Sequence, residues 1–299
     1  MGFHAFTAAV FALSLSLILR GSALAHEKFD DQFNVVWSSS NNILAYDDSK
    51  EVELSLTKAG GANFQSSDYF LYGSFSVKLK LIHGESAGTV TAFYLTSFGE
   101  NHDEIDFEFL GNETGEPYTL HTNLFVNGTG GREQRIKLWF DPTTDFHTYT
   151  IIWNHFQILW LVDYIPIRFY RNLEDIYPGS YPHLRPMVVS ACLFDASAWA
   201  TQDGTKPVKW QYAPFVVKYK NFAFEACEVQ RDGSTPCDHN YRANWWEGLY
   251  YQKLDEERRD QVMWVVSKWK IYDYCYDNKR YPRAPLEPLE CNYNVPWVW

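Results

Sequence analysis

The sequence predicts an all-β protein, an antiparallel sandwich of two sheets, followed by a disulfide-tied C-terminal extension that contains one helix. Three observations lead to this prediction. Much of residues 30–225 consists of short strand-like runs separated by turn signals. No helical pattern intervenes between these runs, which favours antiparallel sheets over α/β units. A helical pattern and four of the five cysteines appear only after residue 226.

The first 25 residues are typical of a signal peptide, because the apolar run FTAAVFALSLSLIL precedes the small residues Ala23–Ala25. The n-region contains His4 but no Lys or Arg, and Arg20 comes late. An uncleaved anchor is the alternative, although the apolar run is shorter than the roughly 18 residues that a membrane span requires. We expect a secreted chain that begins near His26, with no membrane association after cleavage.

Alternation of apolar and polar residues marks the strands of the sandwich. In FSVKLKLI, the apolar Val77, Leu79 and Leu81 alternate with Lys78 and Lys80, so one face would enter the core. Six further segments are predicted to form strands: FNVVWSS, EVELSLT, GTVTAFYLTS, FHTYTIIWN, FQILWLVDYIPIRFY and PFVVKYKNFAF.

The C-terminal extension carries the helical pattern and most of the cysteines. Residues 254–272 predict a helix on the spacing of Leu254, Arg258, Val262, Val265, Val266 and Trp269. Among the three possible pairings we expect disulfides Cys227–Cys237 and Cys275–Cys291, which close short loops in a secreted chain. A zinc site is the competing interpretation, but no Cys-x-x-Cys or paired-His spacing supports it. Cys192, in the apolar run MVVSACLF, would be a buried free thiol.

The segment HDEIDFEFLG, residues 102–111, places Glu104, Asp106 and Glu108 at every second position. On a strand these acids share one face, and the apolar residues between and after them share the other. A solvated strand face is the ordinary interpretation, but adjacent carboxylates repel each other and a surface would interleave Lys or Thr.

The three acids favour glycoside cleavage, in which one carboxylate attacks the anomeric carbon and another protonates the leaving oxygen. An acid between them can hold its neighbours in different protonation states. Retaining enzymes need carboxyl groups about 5–5.5 Å apart. Residues four apart on a strand lie about 13 Å apart at Cα, so Glu104 and Glu108 would have to lean toward each other.

The composition of the chain indicates which classes of molecule it binds. The formal net charge of −11 argues against a nucleic-acid partner, because phosphates would be repelled. Twelve Trp and 20 Tyr suit both a β core and the stacking of sugar rings. Two N-glycosylation sequons, at Asn112 and Asn127, add weight to secretion.

The segment HDEIDFEFLGN resembles the catalytic strand of plant xyloglucan endotransglucosylase/hydrolases, in glycoside hydrolase family 16. The resemblance covers nearly the whole mature chain, through FQSSDYFLYGSFSVKLKLI, SAGTVTAFYLTS, LHTN, LWFDPTTDFHTYTIIWN, VDYIPIRFYRN and WATQDG in family order. The tail IYDYCYDNKRYP resembles the family's C-terminal extension. This implies a β-jelly-roll catalytic domain with a cleft across a concave sheet over residues 26–226, and an extension over residues 227–299.

The resemblance also implies the roles of individual residues. Glu104 would be the nucleophile, Glu108 the general acid/base and Asp106 the helper between them, with a glycan on Asn112 beside the cleft. Substrate-binding positions carried over are Tyr94, Glu108, His121, Thr122, Asn123, Gly131, Arg132, Glu133, Ala198, Trp199, Gly204 and Arg280. We expect no metal ion, no cofactor and a monomer.

One stretch departs from the family pattern. The family usually shows LWNADDWATQGG, whereas this chain has LFDASAWATQDG, with changes at Phe194, Asp195, Ser197, Ala198 and Asp203. Phe194 offers a smaller stacking face than Trp. These changes leave the catalytic acids intact and bear on donor preference. Gly131, where the family often has Asn, is a minor change.

Three functions are weighed. The first is a retaining transglucosylase that cuts xyloglucan and passes the glycosyl-enzyme fragment to another xyloglucan chain or oligosaccharide in the plant cell wall. The second is a hydrolase that uses water as acceptor at the same site. The third is a non-catalytic jelly-roll lectin, which the intact Glu104 and Glu108 disfavour. No inserted loop precedes the acidic strand, and in this family longer loops accompany hydrolysis, so transfer is expected to predominate.

Overall fold

The computed structural model describes residues 28–39, 42–230, 232–235, 241–282 and 288–294. The predicted signal peptide, the mature start at His26 and Cys237 lie outside the described residues. Among the described helices, none is both long and apolar enough to cross a membrane.

The described residues form fifteen strands: β1 Phe33–Ser38, β2 Ile43–Tyr46, β3 Glu51–Leu56, β4 Ala62–Ser66, β5 Phe70–Lys80, β6 Thr89–Thr96, β7 Glu104–Leu110, β8 Thr119–Phe125, β9 Gln134–Lys137, β10 His147–Trp153, β11 Gln157–Val162, β12 Ile165–Arg171, β13 Val188–Asp195, β14 Phe215–Glu228 and β15 Lys270–Asp273. Three α-helices accompany them: α1 Phe29–Gln32, α2 Leu249–Gln252 and α3 Glu256–Lys268. Single 3₁₀ turns span Trp210–Tyr212, Tyr241–Ala243, Trp245–Glu247, Tyr274–Tyr276 and Leu289–Asn292.

The strands form two antiparallel sheets that pack face to face. The eight-stranded sheet has the order β1-β4-β13-β6-β7-β8-β9-β15, and the seven-stranded sheet has the order β12-β11-β10-β5-β14-β3-β2. Sequence neighbours are often not sheet neighbours, because the chain crosses repeatedly between the two sheets, as in a jelly roll. The predicted all-β sandwich is confirmed.

Burial follows the predicted alternation. Val77 and Leu79 on β5 are fully buried, whereas Lys78 and Lys80 are half-buried on the opposite face. One large apolar cluster fills the space between the sheets, and its fully buried rings include Phe75, Phe93, Phe107 and Tyr149. Aromatic residues therefore supply much of this core.

The segment FQILWLVDYIPIRFY forms two strands. Asp163 and Tyr164 both have positive φ, 46° and 70°, and Val162 pairs with Ile165 across them. A two-residue turn of this kind matches the twist of the flanking strands, so the segment folds back as a hairpin, β11–β12.

The predicted helix over residues 254–272 is shorter in the structure, where α3 ends at Lys268. Asp255 caps its N-terminus, with the side chain accepting from the Arg258 N–H at 3.0 Å. After Trp269 the chain becomes β15, which pairs with β9 at the edge of the eight-stranded sheet. The predicted C-terminal boundary was wrong because pairing with β9 decides the conformation of residues 270–273, and the helical spacing does not.

The extension covers part of the outer face of the seven-stranded sheet. Leu254 and Val262 pack with Trp246 against Ile152 and Phe169 of the sheet. The disulfide Cys275–Cys291 is confirmed, and Cys192 is confirmed as a buried free thiol. Cys227 is also disulfide-bonded, and its predicted partner Cys237 lies outside the described residues.

Candidate active site

Strand β7 lies inside the eight-stranded sheet, with β6 on one side and β8 on the other. Its apolar side chains point into the core and are fully buried: Ile105, Phe107 and Phe109. The alternation of the strand therefore places Glu104, Asp106 and Glu108 together on the outer face. This outer face of the eight-stranded sheet is called the site face below.

The seven-stranded sheet contacts the backbone of Asp106 from the core side. The indole Nε1 of Trp160 on β11 donates to the backbone carbonyl of Asp106 at 3.0 Å. The guanidinium of Arg168 on β12 lies 4.6 Å from the centre of the Trp160 ring, and Arg168 is only 2% exposed. A buried positive charge thus lies behind the acidic strand, where it lowers the pKa of Asp106 against larger opposing effects.

Different interactions act on the pKa values of the three acids. Burial raises the pKa of Asp106 well above its ordinary value, and the charges of Glu104 and Glu108 raise it further. The raised pKa favours protonated Asp106, which donates a hydrogen bond to the Glu104 carboxylate. The pKa of Glu104 is also raised, because burial outweighs the hydrogen bonds with Thr96 and Asp106 and the charge of His102. Those hydrogen bonds favour the carboxylate form.

Glu108 lacks that stabilisation. Burial, followed by the charges of Glu104 and Glu133, raises its pKa to about 7, although Arg135 opposes the shift. Burial lowers the pKa of the adjacent His121 to about 3, so its imidazole is neutral at neutral pH. Its Nδ1 lies 3.3 Å from Glu108 Oε2, but neither ring nitrogen has a hydrogen-bond partner among the described residues. The contact is therefore not an ion pair.

Sheet register places further predicted residues beside the acids. Tyr94 on β6 and Asn123 on β8 pair with Asp106 from either side. The Tyr94 hydroxyl accepts from Asn63 Nδ2 at 3.3 Å, and Asn123 Oδ1 accepts from the Arg132 N–H at 3.1 Å. Both side chains are thus held in place on the site face.

Thr122 lies on the other face. It pairs with Phe107, is fully buried, and its Oγ1 accepts from Arg168 Nη1 at 2.9 Å. The Thr122 side chain therefore does not lie beside the acids, because neighbours in a strand point to opposite faces and only His121 and Asn123 share the face of the acids. Its role is to bind the buried guanidinium.

The Arg132 guanidinium also turns away from the acids. Its Nε donates to Glu290 Oε1 at 2.8 Å, and Nη1 donates to the carbonyls of Thr129 and Leu124. The Arg132 side chain is 13% exposed. The Arg132 side chain therefore binds the C-terminal extension and does not lie among the side chains of the site face.

Glu133 and Arg280 lie together at the surface. Arg280 Nη1 is 2.6 Å from Glu133 Oε2, and the Arg280 side chain is 41% exposed. The neighbouring Gly131 has φ +88°, and a Cβ there would lie 2.9 Å from Arg280 Nη2. Glycine at this position therefore lets the extension approach the loop before β9.

The loop after β13 brings the predicted aromatic residue to the site. Trp199 is 37% exposed, and its ring centre lies 6.4 Å from that of His121. Gly204 has φ +82°, and a Cβ there would lie 2.3 Å from the Ala198 carbonyl oxygen. Ala198 itself is exposed. The tight loop thus requires glycine and places Trp199 beside His121.

Sequence reasoning missed Arg135. It pairs with His121, which in turn pairs with Glu108, so all three lie in one row across β9, β8 and β7. The available signal was period-two spacing from Glu133. Arg135 is the positive charge that opposes the raised pKa of Glu108.

The two sequon asparagines differ in their surroundings. Asn112 is half-buried, and its Nδ2 donates to the Pro117 carbonyl at 3.0 Å. Asn127 is exposed, has φ +51°, and its Oδ1 accepts from Arg185 at 3.1 Å.

Comparison with known proteins assigns the family. Residues 29–212 match the glycosyl hydrolases family 16, and residues 240–291 match the xyloglucan endo-transglycosylase (XET) C-terminus. A probable xyloglucan endotransglucosylase/hydrolase protein 7 of Arabidopsis thaliana is 44% identical, over 90% of this chain and 89% of its own. The xyloglucan endotransglucosylase protein 2 of Diospyros kaki is 45% identical, over 83% of each chain. The chain belongs to the xyloglucan endotransglucosylase/hydrolase family, within glycosyl hydrolases family 16.

Solved structures agree on the fold. The Bacillus licheniformis β-glucanase superposes with a TM-score of 0.52 at 22% identity, over 67% of this chain and 92% of its own. A Crh5 transglycosylase superposes with a TM-score of 0.53 at 22% identity, over 67% and 82%. The family, the jelly-roll-like fold and the enzyme class predicted from the sequence are confirmed.

Proposed function

We propose that the protein is a retaining xyloglucan endotransglucosylase in which Glu104 is the nucleophile and Glu108 the general acid/base. The observation that carries this assignment is the difference between the two carboxyl groups. Glu108 has a pKa of about 7 and holds a proton to donate, while Glu104 receives the hydrogen bonds that favour its ionised form. Retaining glycoside cleavage requires one ionised and one protonated carboxyl group.

The reaction follows in two steps. Glu104 attacks the anomeric carbon of a backbone glucosyl unit, and Glu108 gives its proton to the leaving glycosidic oxygen, so the bond breaks and a glycosyl-enzyme ester forms. Glu108 then removes the proton from the acceptor hydroxyl, whose oxygen attacks the anomeric carbon and releases Glu104 as carboxylate. Asp106, protonated and hydrogen-bonded to Glu104, stabilises its negative charge before attack and on departure.

Several of the other predicted residues fit substrate binding on or beside the site face. Tyr94 and Trp199 offer rings to sugar faces, and neutral His121 and Asn123 offer polar atoms to hydroxyls. Exposed Arg280, near Glu133, would meet the acceptor. Gly131, Gly204 and Ala198 shape the loops that carry these side chains.

Transfer in preference to hydrolysis is part of the proposal. The glycosyl-enzyme must survive until a sugar acceptor arrives, and an oriented acceptor can outcompete water because positioning is worth up to about 7–11 kcal/mol. The donor is xyloglucan, and the acceptor is xyloglucan or its oligosaccharide. The names of the relatives, which include both activities, leave hydrolysis as the second candidate.

The test incubates xyloglucan with enzyme alone and with labelled xyloglucan oligosaccharide. We expect polymer size to fall slowly alone and faster with oligosaccharide, and label to enter the polymer. Rapid release of reducing ends that added oligosaccharide does not change would identify a hydrolase. Binding without either reaction would identify a lectin.

We further propose that the chain is secreted to the plant cell wall as a monomeric glycoprotein, with the signal peptide at residues 1–25, the catalytic domain at 26–226 and the extension at 227–299. A glycan on Asn112, which directly follows the acidic strand, would lie beside the site, and Asn127 is a second acceptor. Mass spectrometry of the protein expressed in a plant host would locate its N-terminus and glycans.

A further inference from the structure

A second groove lies on the outer face of the seven-stranded sheet. The site face belongs to the other sheet, so the two lie on opposite sides of the sandwich. The groove encloses about 570 Å³, a size typical of small-ligand sites. Its floor is formed by β5, β10 and β14, and its wall by the extension around α2 and α3. The extension covers the neighbouring part of this face with apolar contacts, and the groove begins where that cover ends.

The floor of the groove carries hydroxyl groups. Ser74 and Ser76 on β5 lie beside Thr148 and Thr150 on β10. Ser76 and Thr150 pair in register, and their hydroxyl oxygens are 2.6 Å apart. These short side chains leave space above the sheet, and each hydroxyl can both donate and accept, as sugar hydroxyls do.

The wall of the groove carries aromatic rings held in fixed positions. Trp245 is 40% exposed, and its Nε1 donates to Glu225 Oε2 at 2.7 Å. Tyr250 is 55% exposed, and the Arg258 guanidinium lies 3.6 Å from its ring centre. Tyr164, 78% exposed, stands on the β11–β12 hairpin. Because the first two rings are already held, a ligand that stacks on them loses little entropy in ordering them.

Three charged side chains line the groove, Lys78, Glu225 and Arg258, and the last two are engaged by neighbouring groups. Glu225 is engaged by the indole of Trp245, and Arg258 donates to Asp255 and to the backbone carbonyls of Tyr250 and Lys253. The whole chain carries a formal net charge of −11, which repels acidic polysaccharides. Aromatic faces beside hydroxyl groups match the flat apolar faces and equatorial hydroxyls of β-linked glucose.

We propose that this groove is a second carbohydrate-binding site, which takes a neutral β-glucan chain, the backbone class of the polymeric substrate. The proposal rests on the proposed function. An enzyme that acts within long polymers gains from a second contact, because one bound segment raises the effective concentration of chain at the reaction site. The groove would hold the enzyme on the polysaccharide and would contribute nothing to reactions of short oligosaccharides.

The binding experiment uses the full-length Glu104→Ala protein, which does not consume the probe, in native gels with and without dissolved xyloglucan polymer. We expect Trp245→Ala, Tyr250→Ala and the groove-filling Ala223→Phe each to reduce retardation by the polymer several-fold. The control Tyr46→Ala removes a half-exposed ring outside the groove and should leave retardation unchanged. Unchanged retardation in the groove variants would overturn the proposal.

The kinetic experiment separates the groove from the reaction site. In the active enzyme, the same groove variants should raise the KM for polymer about 3–10-fold, which corresponds to about 0.7–1.4 kcal/mol of lost binding free energy. The kcat/KM for a short oligosaccharide donor should stay unchanged. An equal loss on both substrates would assign Trp245 and Tyr250 to folding and overturn the proposal. Absence of transfer by the wild-type protein would overturn the proposed function alone, since the gel experiment needs no turnover.

Discussion

The charge of Arg135 lowers the pKa of Glu108 and so shifts the pH range in which Glu108 can act as an acid. Arg135 lies two strands from Glu108 in one row of the sheet, a separation of about 10 Å at about 4.8 Å per strand. The Arg135 side chain is 33% exposed, so an effective dielectric of about 40–80 is appropriate. Coulomb's law then gives about 0.4–0.9 kcal/mol, which corresponds to about 0.3–0.6 pH units.

Arg135→Met should therefore raise the pKa of Glu108 above its value of about 7. The sign follows because a positive charge favours the carboxylate, and its removal favours the protonated acid. The alkaline limb of kcat/KM, which reports loss of the general-acid proton, should move to higher pH by about 0.3–0.6 units. The assay is incorporation of labelled oligosaccharide into xyloglucan at low salt, where the charge effect is least screened.

Arg135→Lys is the matched control, because it keeps the charge and should leave the alkaline limb in place. Arg135 also lies 5.3 Å from the Tyr272 ring centre and 3.6 Å from Asp203. Either substitution can lower kcat through these contacts, but a lower kcat does not by itself move the limb. A limb that stays fixed in Arg135→Met, or moves equally in both variants, would refute the reasoning.

Further substitutions test the acids, the core and the extension. Glu104→Ala should abolish turnover with an unchanged melting temperature, and wild-type-like activity in this variant would contradict the role of Glu104. Phe107→Ala should instead lower the free energy of unfolding by about 3–5 kcal/mol, because it empties a fully buried position. Asp106→Asn should raise the melting temperature at neutral pH by a few degrees, at about 2–4 °C per kcal/mol. The raised pKa of Asp106 means that the unfolded chain releases a proton which the folded protein retains, so this stabilisation should fade as pH falls to the ordinary Asp range, and an equal gain at all pH values would contradict it. Changing both Cys275 and Cys291 to Ser should cost about 3 kcal/mol in urea unfolding, since the disulfide closes a short loop; unchanged stability would show that tertiary contacts alone hold the extension.

The local sequence pattern was sufficient to predict features that depend on a single strand or helix. The period of two in residues 104–109 separates acids from apolar residues on any strand, so both faces of β7 could be predicted without knowing its neighbours. The same rule places the Thr122 side chain on the core face with Phe107. The spacing of residues 254–266 likewise indicated α3, because packing of an amphipathic helix leaves a repeat in the sequence.

The fold class, the family and the three acids could be predicted from the sequence. Contacts between residues far apart in the chain leave no such repeat and are established only by the tertiary structure. It placed Arg168 and Trp160 behind Asp106, turned Arg132 toward Glu290, and converted residues 270–273 from predicted helix to an edge strand. The protonation of Glu108 also depends on the tertiary structure, because burial by the assembled sheet is the main cause of its raised pKa. The burial of a titratable group and the electrostatic field at that group depend on every element that surrounds it. No short stretch of sequence therefore predicts them.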